Sequence, residues 1–131
     1  MNYSLLTKLN VLLVVLSLSV LGQAQAKDIN QEQLQQLMKS NQQLVILDVR
    51  TADEFAKGHI PNAINISHDE LKSRLLELNT AKDKQIVIYC RSGRRAEVAR
   101  ELLNEQGFTH LDHLSGDFNG WTSNKLPVAT K

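Results

Sequence analysis

Cys90 is the only cysteine in the 131-residue chain, and it heads the polar run Cys90-Arg91-Ser92-Gly93-Arg94-Arg95. Ile86-Val87-Ile88-Tyr89 before it reads as a buried strand, and Ala96 to Gln106 after it as an amphipathic helix. A thiol at a strand-to-helix turn faces backbone N–H groups and the positive end of a helix dipole. Arg91, Arg94 and Arg95 add three cations within five residues of it. Both effects favour thiolate over thiol, and the thiolate is the nucleophilic form. The alternative is a buried structural cysteine. A loop position flanked by arginine and glycine argues against burial.

A six-residue loop of this kind can curl so that successive N–H groups point at its centre. Such a nest holds an anion, or a sulfur atom bearing negative charge. Gly93 permits a backbone conformation that strains other residues, and Ser92 is small enough to cap the following helix. The guanidinium groups of Arg91, Arg94 and Arg95 suit an oxyanion such as a thiosulfonate or sulfite. One cysteine cannot pair within its own chain. Any sulfur or disulfide intermediate on Cys90 therefore needs an external thiol or nucleophile to resolve it.

The elements that position this loop follow from capping and hydrophobic pattern. Asn30 to Lys39 reads as a helix, with Asn30 as N-cap and Gln33 at the third helical position. Leu44-Val45-Ile46-Leu47 is an apolar run suited to a strand buried on both faces, and Asp48 ends it. Thr51-Ala52-Asp53-Glu54 is a capping box for a short helix that stops near Gly58. Ala63 to Ile66 is a short strand. Ser67-His68-Asp69-Glu70 is a second capping box, before a helix carrying Leu71, Leu75 and Leu78. After the cysteine helix and Gly107, Thr109 to Leu114 reads as a strand and Gly116 to Trp121 as a turn with a short helix. Strands alternate with helices. The expected fold is therefore α/β, a mainly parallel central sheet flanked by helices on both faces. In such sheets ligands sit beyond the carboxyl ends of the strands, where both Asp48 and Cys90 fall.

The ends and the composition bound the setting. Residues 1–26 have the layout of a secretory signal peptide. Lys8 is the only charge, Leu9 to Leu21 is mostly Leu and Val, and Ala24-Gln25-Ala26 is a small-x-small cleavage signal. An uncleaved N-terminal anchor is the competing reading. Cleavage after Ala26 leaves residues 27–131, a length that suits one domain with one core. With Lys8 set aside, 14 basic residues face 14 acidic ones. That balance points away from nucleic acid and from anionic membranes. An exported chain is expected, periplasmic if its source is Gram-negative, with no membrane attachment after cleavage.

Three separated motifs in order resemble the rhodanese family of thiosulfate sulfurtransferases. Cys90 to Arg95 is similar to the family's active-site loop. Leu47-Asp48-Val49-Arg50, with Glu54-Phe55 and Gly58 to Ile66, resembles its N-terminal signature. Leu114-Ser115-Gly116-Asp117-Phe118-Asn119-Gly120-Trp121 resembles its C-terminal one. The pattern, over roughly residues 30–127, is similar to exported single-domain members of the phage-shock protein E type. The resemblance implies a rhodanese-like domain and a ping-pong reaction through a Cys90 persulfide. The donor would be thiosulfate or a similar small molecule, and the acceptor cyanide or an external thiol. No metal or organic cofactor is implied, and a monomer is expected. Related phosphatases and arsenate reductases carry one more residue in the loop, making room for a tetrahedral oxyanion. The shorter loop here fits a single sulfur. A phosphatase or arsenate reductase-like enzyme remains the second reading, and a persulfide carrier with poor turnover the third.

The remaining residues divide by role. Cys90 is the expected catalytic nucleophile. Arg91, Ser92, Gly93, Arg94 and Arg95 are the expected substrate-binding loop, with Arg91 and Arg94 as direct contacts and Arg95 able to point back into the fold. Asp48 and Arg50 are expected loop supports. Asp48 would either accept hydrogen bonds from the cysteine loop or cap a turn, and Arg50 would pair with Glu54. His59, in a Gly-His-Ile-Pro turn, reads as structural. His110 and His113 fall on opposite faces of a strand, which argues against a shared metal. Trp121 reads as packing at the domain edge.

Overall fold

The computed structural model describes residues 25–131. The stretch expected to be a signal peptide lies outside this range except for Gln25 and Ala26. Five strands form one parallel sheet: β1 (Gln25–Ile29), β2 (Val45–Asp48), β3 (Ile64–Asn65), β4 (Ile86–Tyr89) and β5 (His110–Leu114). Their spatial order is β1-β5-β4-β2-β3, which puts β4, the strand leading to Cys90, at the centre. Among the described residues four α-helices accompany them: α1 (Gln31–Ser40), α2 (Ala52–Lys57), α3 (Arg94–Glu105) and α4 (Asp117–Ser123).

Helices cover both faces, and the strands supply each face by alternation. Leu47, Ile86, Ile88 and Leu111 pack on one side with Ala96, Ala99 and Leu103 of α3 and with Leu71 and Leu78. Ile46, Val87, Tyr89 and Leu114 pack on the other with Leu34 of α1 and Trp121 of α4. The central strand β4 is buried throughout, so its continuous apolar run is what both cores require.

Local signals fix the helix starts. The Asn30 side chain accepts the Gln33 N–H at 2.8 Å, while Gln33 returns a bond to the Asn30 N–H at 2.8 Å. Thr51 and Glu54 close a second capping box at α2. The box expected at Ser67 does not form. The Ser67 hydroxyl turns to Asp69 instead, and its carbonyl accepts the Glu70 N–H in a tight turn. Leu71–Ala81 is accordingly a 3-10 helix with a kink at Arg74, rather than an α-helix. A second difference bears on the site. α3 begins at Arg94, two residues before the expected start, so Arg94 and Arg95 occupy its first turn.

Candidate active site

Cys90 follows directly on β4 and shares the face of Leu47, Ile88 and Ala96. It is only 1% exposed, contrary to the expectation for a loop residue flanked by arginine and glycine. The cause is the strand: β4 is buried to its last residue, and Cys90 continues its alternation. The thiol is nonetheless engaged by the loop. The Gly93 N–H donates to Cys90 Sγ at 3.0 Å. The first-turn N–H groups of α3 have no carbonyl partner inside the helix and add the positive end of its dipole beside the loop.

Gly93 is required twice at this point. Its φ is +121°, where residues with a side chain are strained, and a Cβ there would stand 3.2 Å from Asp117 Oδ2. Gly93 is itself the N-cap of α3, so Ser92 does not cap the helix; its side chain is exposed. Arg91 and Arg94 are exposed, and no ion pair among the described residues engages either. Arg91 lines an open groove of about 400 Å³, with Lys57, Phe118, Asn119 and Val128 among its walls. Arg95 turns back into the fold and binds Glu54 at 2.7 and 3.0 Å. Glu54 holds the Arg95 guanidinium further above its ordinary value, with the Cys90 sulfur adding to the effect.

Asp117 is the carboxylate that reaches the cysteine loop. Its Oδ1 accepts the Cys90 N–H at 2.9 Å. Two amides of α4 complete the attachment, Phe118 N–H to the Cys90 carbonyl at 3.0 Å and Asn119 N–H to the Arg91 carbonyl at 3.1 Å. Asp48, the expected support, makes a different set of bonds. It accepts the Arg50 N–H at 2.9 Å and Arg50 Nη2 at 2.6 Å, all within its own turn. Arg50 pairs with this buried Asp48 rather than with Glu54, donates to the Gly58 carbonyl at 2.7 Å, and lies 4.0 Å over the Phe118 ring. Both residues therefore support the α2 turn, one strand away from the cysteine. Nothing in the local sequence at Asp117 marks it as a loop anchor. Its place in the Leu114–Trp121 motif was the available signal.

His113 lies under the same loop. Its Nε2 is 2.9 and 3.0 Å from the two Asp117 oxygens, and its Nδ1 is 3.0 Å from Glu97. Asp28, Glu97 and His113 bring ligand-type atoms within 4.8 Å of one another. Arg100 already binds both carboxylates, at 3.1 and 2.9 Å, so the cluster carries its own cation. His110 instead faces Asp112, at 3.5 Å. His59 is buried, stacked on Phe55 at 3.6 Å, with Nδ1 2.8 Å from the Phe55 carbonyl. Trp121 is buried and donates to the Pro127 carbonyl at 2.8 Å.

Comparison with known proteins agrees with this geometry. Residues 30–124 match the rhodanese-like domain. A sulfurtransferase of Allochromatium vinosum is 34% identical over 101 residues, covering 77% of this chain and 92% of that protein. The thiosulfate sulfurtransferase PspE of Escherichia coli is 34% identical over 70 residues, covering 53% of this chain and 67% of that protein. The crystal structure of a rhodanese-related protein from Thermoplasma volcanium superposes with a TM-score of 0.70 at 30% identity, covering 80% of this chain and 99% of that one. The central parallel sheet, the cysteine at the carboxyl end of its middle strand and the extent of the match lead to one conclusion: this chain belongs to the rhodanese-like family.

Proposed function

We propose that the protein is a sulfurtransferase that carries sulfane sulfur from thiosulfate, or a similar donor, through a Cys90 persulfide to a thiophilic acceptor. The supporting observation is the Gly93 N–H aimed at Cys90 Sγ from 3.0 Å, within a loop that runs into the first turn of α3. An amide donor and a helix N-terminus stabilise negative charge on sulfur, which both the thiolate and the persulfide carry. Family membership and the sulfurtransferase relatives support the same chemistry.

In the first step the Cys90 thiolate attacks the outer sulfur of thiosulfate. An S–S bond forms on Cys90, the S–S bond of thiosulfate breaks, and sulfite leaves with the bonding pair. Arg91 and Arg94 are the proposed contacts for the departing oxyanion. In the second step cyanide or a thiolate takes the terminal sulfur, and the Cys90 thiolate is restored. Arg95 acts through position: its bond to Glu54 holds the first turn of α3 against α2. Export belongs to the same proposal. The Leu9 to Leu21 apolar run, followed by the Ala24-Gln25-Ala26 cleavage signal, supports it, and N-terminal sequencing of the recovered protein should begin at Lys27.

Intact mass after incubation with thiosulfate tests the chemistry. The wild type should gain one sulfur atom, the Cys90→Ser variant none, and cyanide should remove the added sulfur with turnover. Absence of the gain, together with hydrolysis of an aryl phosphate, would replace this reading with a phosphatase. A stable gain that cyanide discharges only once would make the protein a carrier.

A further inference from the structure

Asp117 occupies left-handed backbone, uncommon for any residue with a side chain and visited outside glycine mostly by aspartate and asparagine. Its φ is +52°, directly after Gly116 at +82°, and it is buried to 2% exposure. Left-handed backbone at a non-glycine residue persists only where the surroundings hold it. Here the surroundings are the active loop. Oδ1 grips the Cys90 N–H, and Oδ2 faces the position of a Cβ on Gly93, the residue whose own N–H reaches the sulfur. Asp117 thus binds the first residue of the Cys90–Gly93 turn and lies beside the last.

A buried carboxylate beneath an anion cradle works against the cradle unless it is neutralised. His113 is placed to do this. Its ring meets Asp117 through Nε2 and Glu97 through Nδ1, with Asp28 3.9 Å away. A neutral imidazole has one N–H and would turn a lone pair towards one of the two carboxylates; only the imidazolium donates to both. We propose that Asp117 and His113 form a positioning pair for the sulfur-transfer reaction, in which Asp117 fixes the Cys90 backbone and His113, as imidazolium, cancels the charge that this grip introduces. The inference rests on the sulfurtransferase reading of Cys90.

The charged groups facing His113 are Asp117 from α4, Glu97 and Arg100 from α3, and Asp28 from β1. Arg100 binds Glu97 and Asp28, leaving Asp117 as the carboxylate that depends on His113. The Asp117 hydrogen bond, aided by its charge and those of Glu97 and Asp28, raises the His113 ring above the ordinary 6.5, against the opposing effect of burial. The imidazolium therefore persists to higher pH than an ordinary histidine holds it, and is lost as pH rises through that raised value. Once it is lost, an uncompensated carboxylate lies under the loop, and an anionic donor binds less well.

Histidine NMR titration and steady-state kinetics test the pair together. His113 should titrate above 6.5 in the wild type and at lower pH in Asp117→Asn. The wild-type KM for thiosulfate should rise on the alkaline side in step with that titration. His113→Gln should raise KM severalfold at pH values below that titration and remove the step. Asp117→Asn keeps an acceptor for the Cys90 N–H and tolerates the left-handed backbone, so it should retain more turnover than Asp117→Ala. A folded His113→Gln variant with the wild-type KM and the wild-type pH profile would overturn the pair, as would a His113 titration unmoved by Asp117→Asn. The NMR readout needs no turnover. A wild type that forms no persulfide would therefore defeat the proposed function without deciding the His113–Asp117 coupling.

Discussion

Arg95 and Glu54 form a two-pronged ion pair across 41 residues of sequence, with bonds of 2.7 and 3.0 Å. The pair joins the first turn of the helix that follows the cysteine to the first turn of α2. It places the last arginine of the loop in the scaffold, and leaves Arg91 and Arg94 as the cations exposed at the loop surface. The Arg95 hydrogen bonds, followed by those from Thr51, hold the Glu54 carboxyl down to about 2 from its ordinary 4.5, against the opposing effect of burial.

That shift has a consequence for acid stability. A carboxylate with a depressed value contributes fully above its unfolded value and loses the contribution as pH falls through the folded one. The Glu54 contribution should therefore be complete above about 4.5 and gone near 2. Both side chains are about a quarter exposed, so the contribution at neutral pH is modest, about 1 kcal/mol. Thermal melts of wild type and Glu54→Gln should differ at pH 7 and converge across that acid window. A difference that stays constant with pH would show that the charge of Glu54 is not what stabilises the fold.

The exposed arginines should behave differently from Arg95. If the proposed reaction holds, Arg91→Ala and Arg94→Ala each remove a charge-assisted contact to the anionic donor, and KM for thiosulfate should rise about three- to tenfold with kcat nearly kept. The effect should shrink in high salt, because both side chains face solvent. Steady-state kinetics at two ionic strengths measures this. Unchanged KM in both variants would remove these residues from donor binding.

Much of this site could be read from local sequence. The Asn30 and Thr51 capping boxes, the apolar runs of β2 and β4, and the cysteine loop between β4 and α3 are signals within a few residues of each other. What escaped depends on distance in sequence. β1 carries Lys27 and Asp28 and lacks an apolar run; it exists because it pairs in register with β5, from Gln25 opposite His110 to Ile29 opposite Leu114. Asp117 acts on Cys90, 27 residues away, and only because a positive φ turns it under the loop. From sequence, Arg50 reads as a partner for Glu54 across the start of the short helix. It sits before the helix begins, however, and the buried Asp48 is nearer. The burial of Cys90 was hidden by its polar neighbours, which point outward while it points in.

Asp48 and Arg50 make a case in which stability should suffer most. Their side chains are 0% and 4% exposed, and their closest contact is 2.6 Å. Burial works against the Arg50 charge, but the hydrogen bond and charge of Asp48, followed by those of Tyr89, outweigh it and raise the guanidinium above its ordinary value. Removing one member of a buried pair strands the other. Asp48→Ala should therefore cost about 3–5 kcal/mol in denaturant unfolding, far more than loss of an exposed pair. A cost below about 1 kcal/mol would mean that Arg50 is satisfied by the Gly58 carbonyl and the Phe118 ring alone.

Gly93 and Gly107 separate backbone strain from the geometry of the cradle. Both have positive φ, +121° and +88°. An added Cβ meets nothing within 4 Å at Gly107, but at Gly93 it meets Asp117 Oδ2 at 3.2 Å and His113 Cε1 at 3.5 Å. Gly107→Ala should therefore show the backbone cost alone, about 1 kcal/mol, with sulfur transfer retained. Gly93→Ala has to relieve the strain and move either the loop or the Asp117–His113 pair. Moving the loop lengthens the Gly93 N–H bond to the sulfur; moving the pair lengthens the Cys90 N–H bond to Asp117. Either shift should lower kcat at least tenfold, about 1.4 kcal/mol in the barrier, beyond any loss of stability. Equal kinetics in the two variants, each measured well below its melting temperature, would show that the Gly93 amide contributes nothing to the chemistry at Cys90.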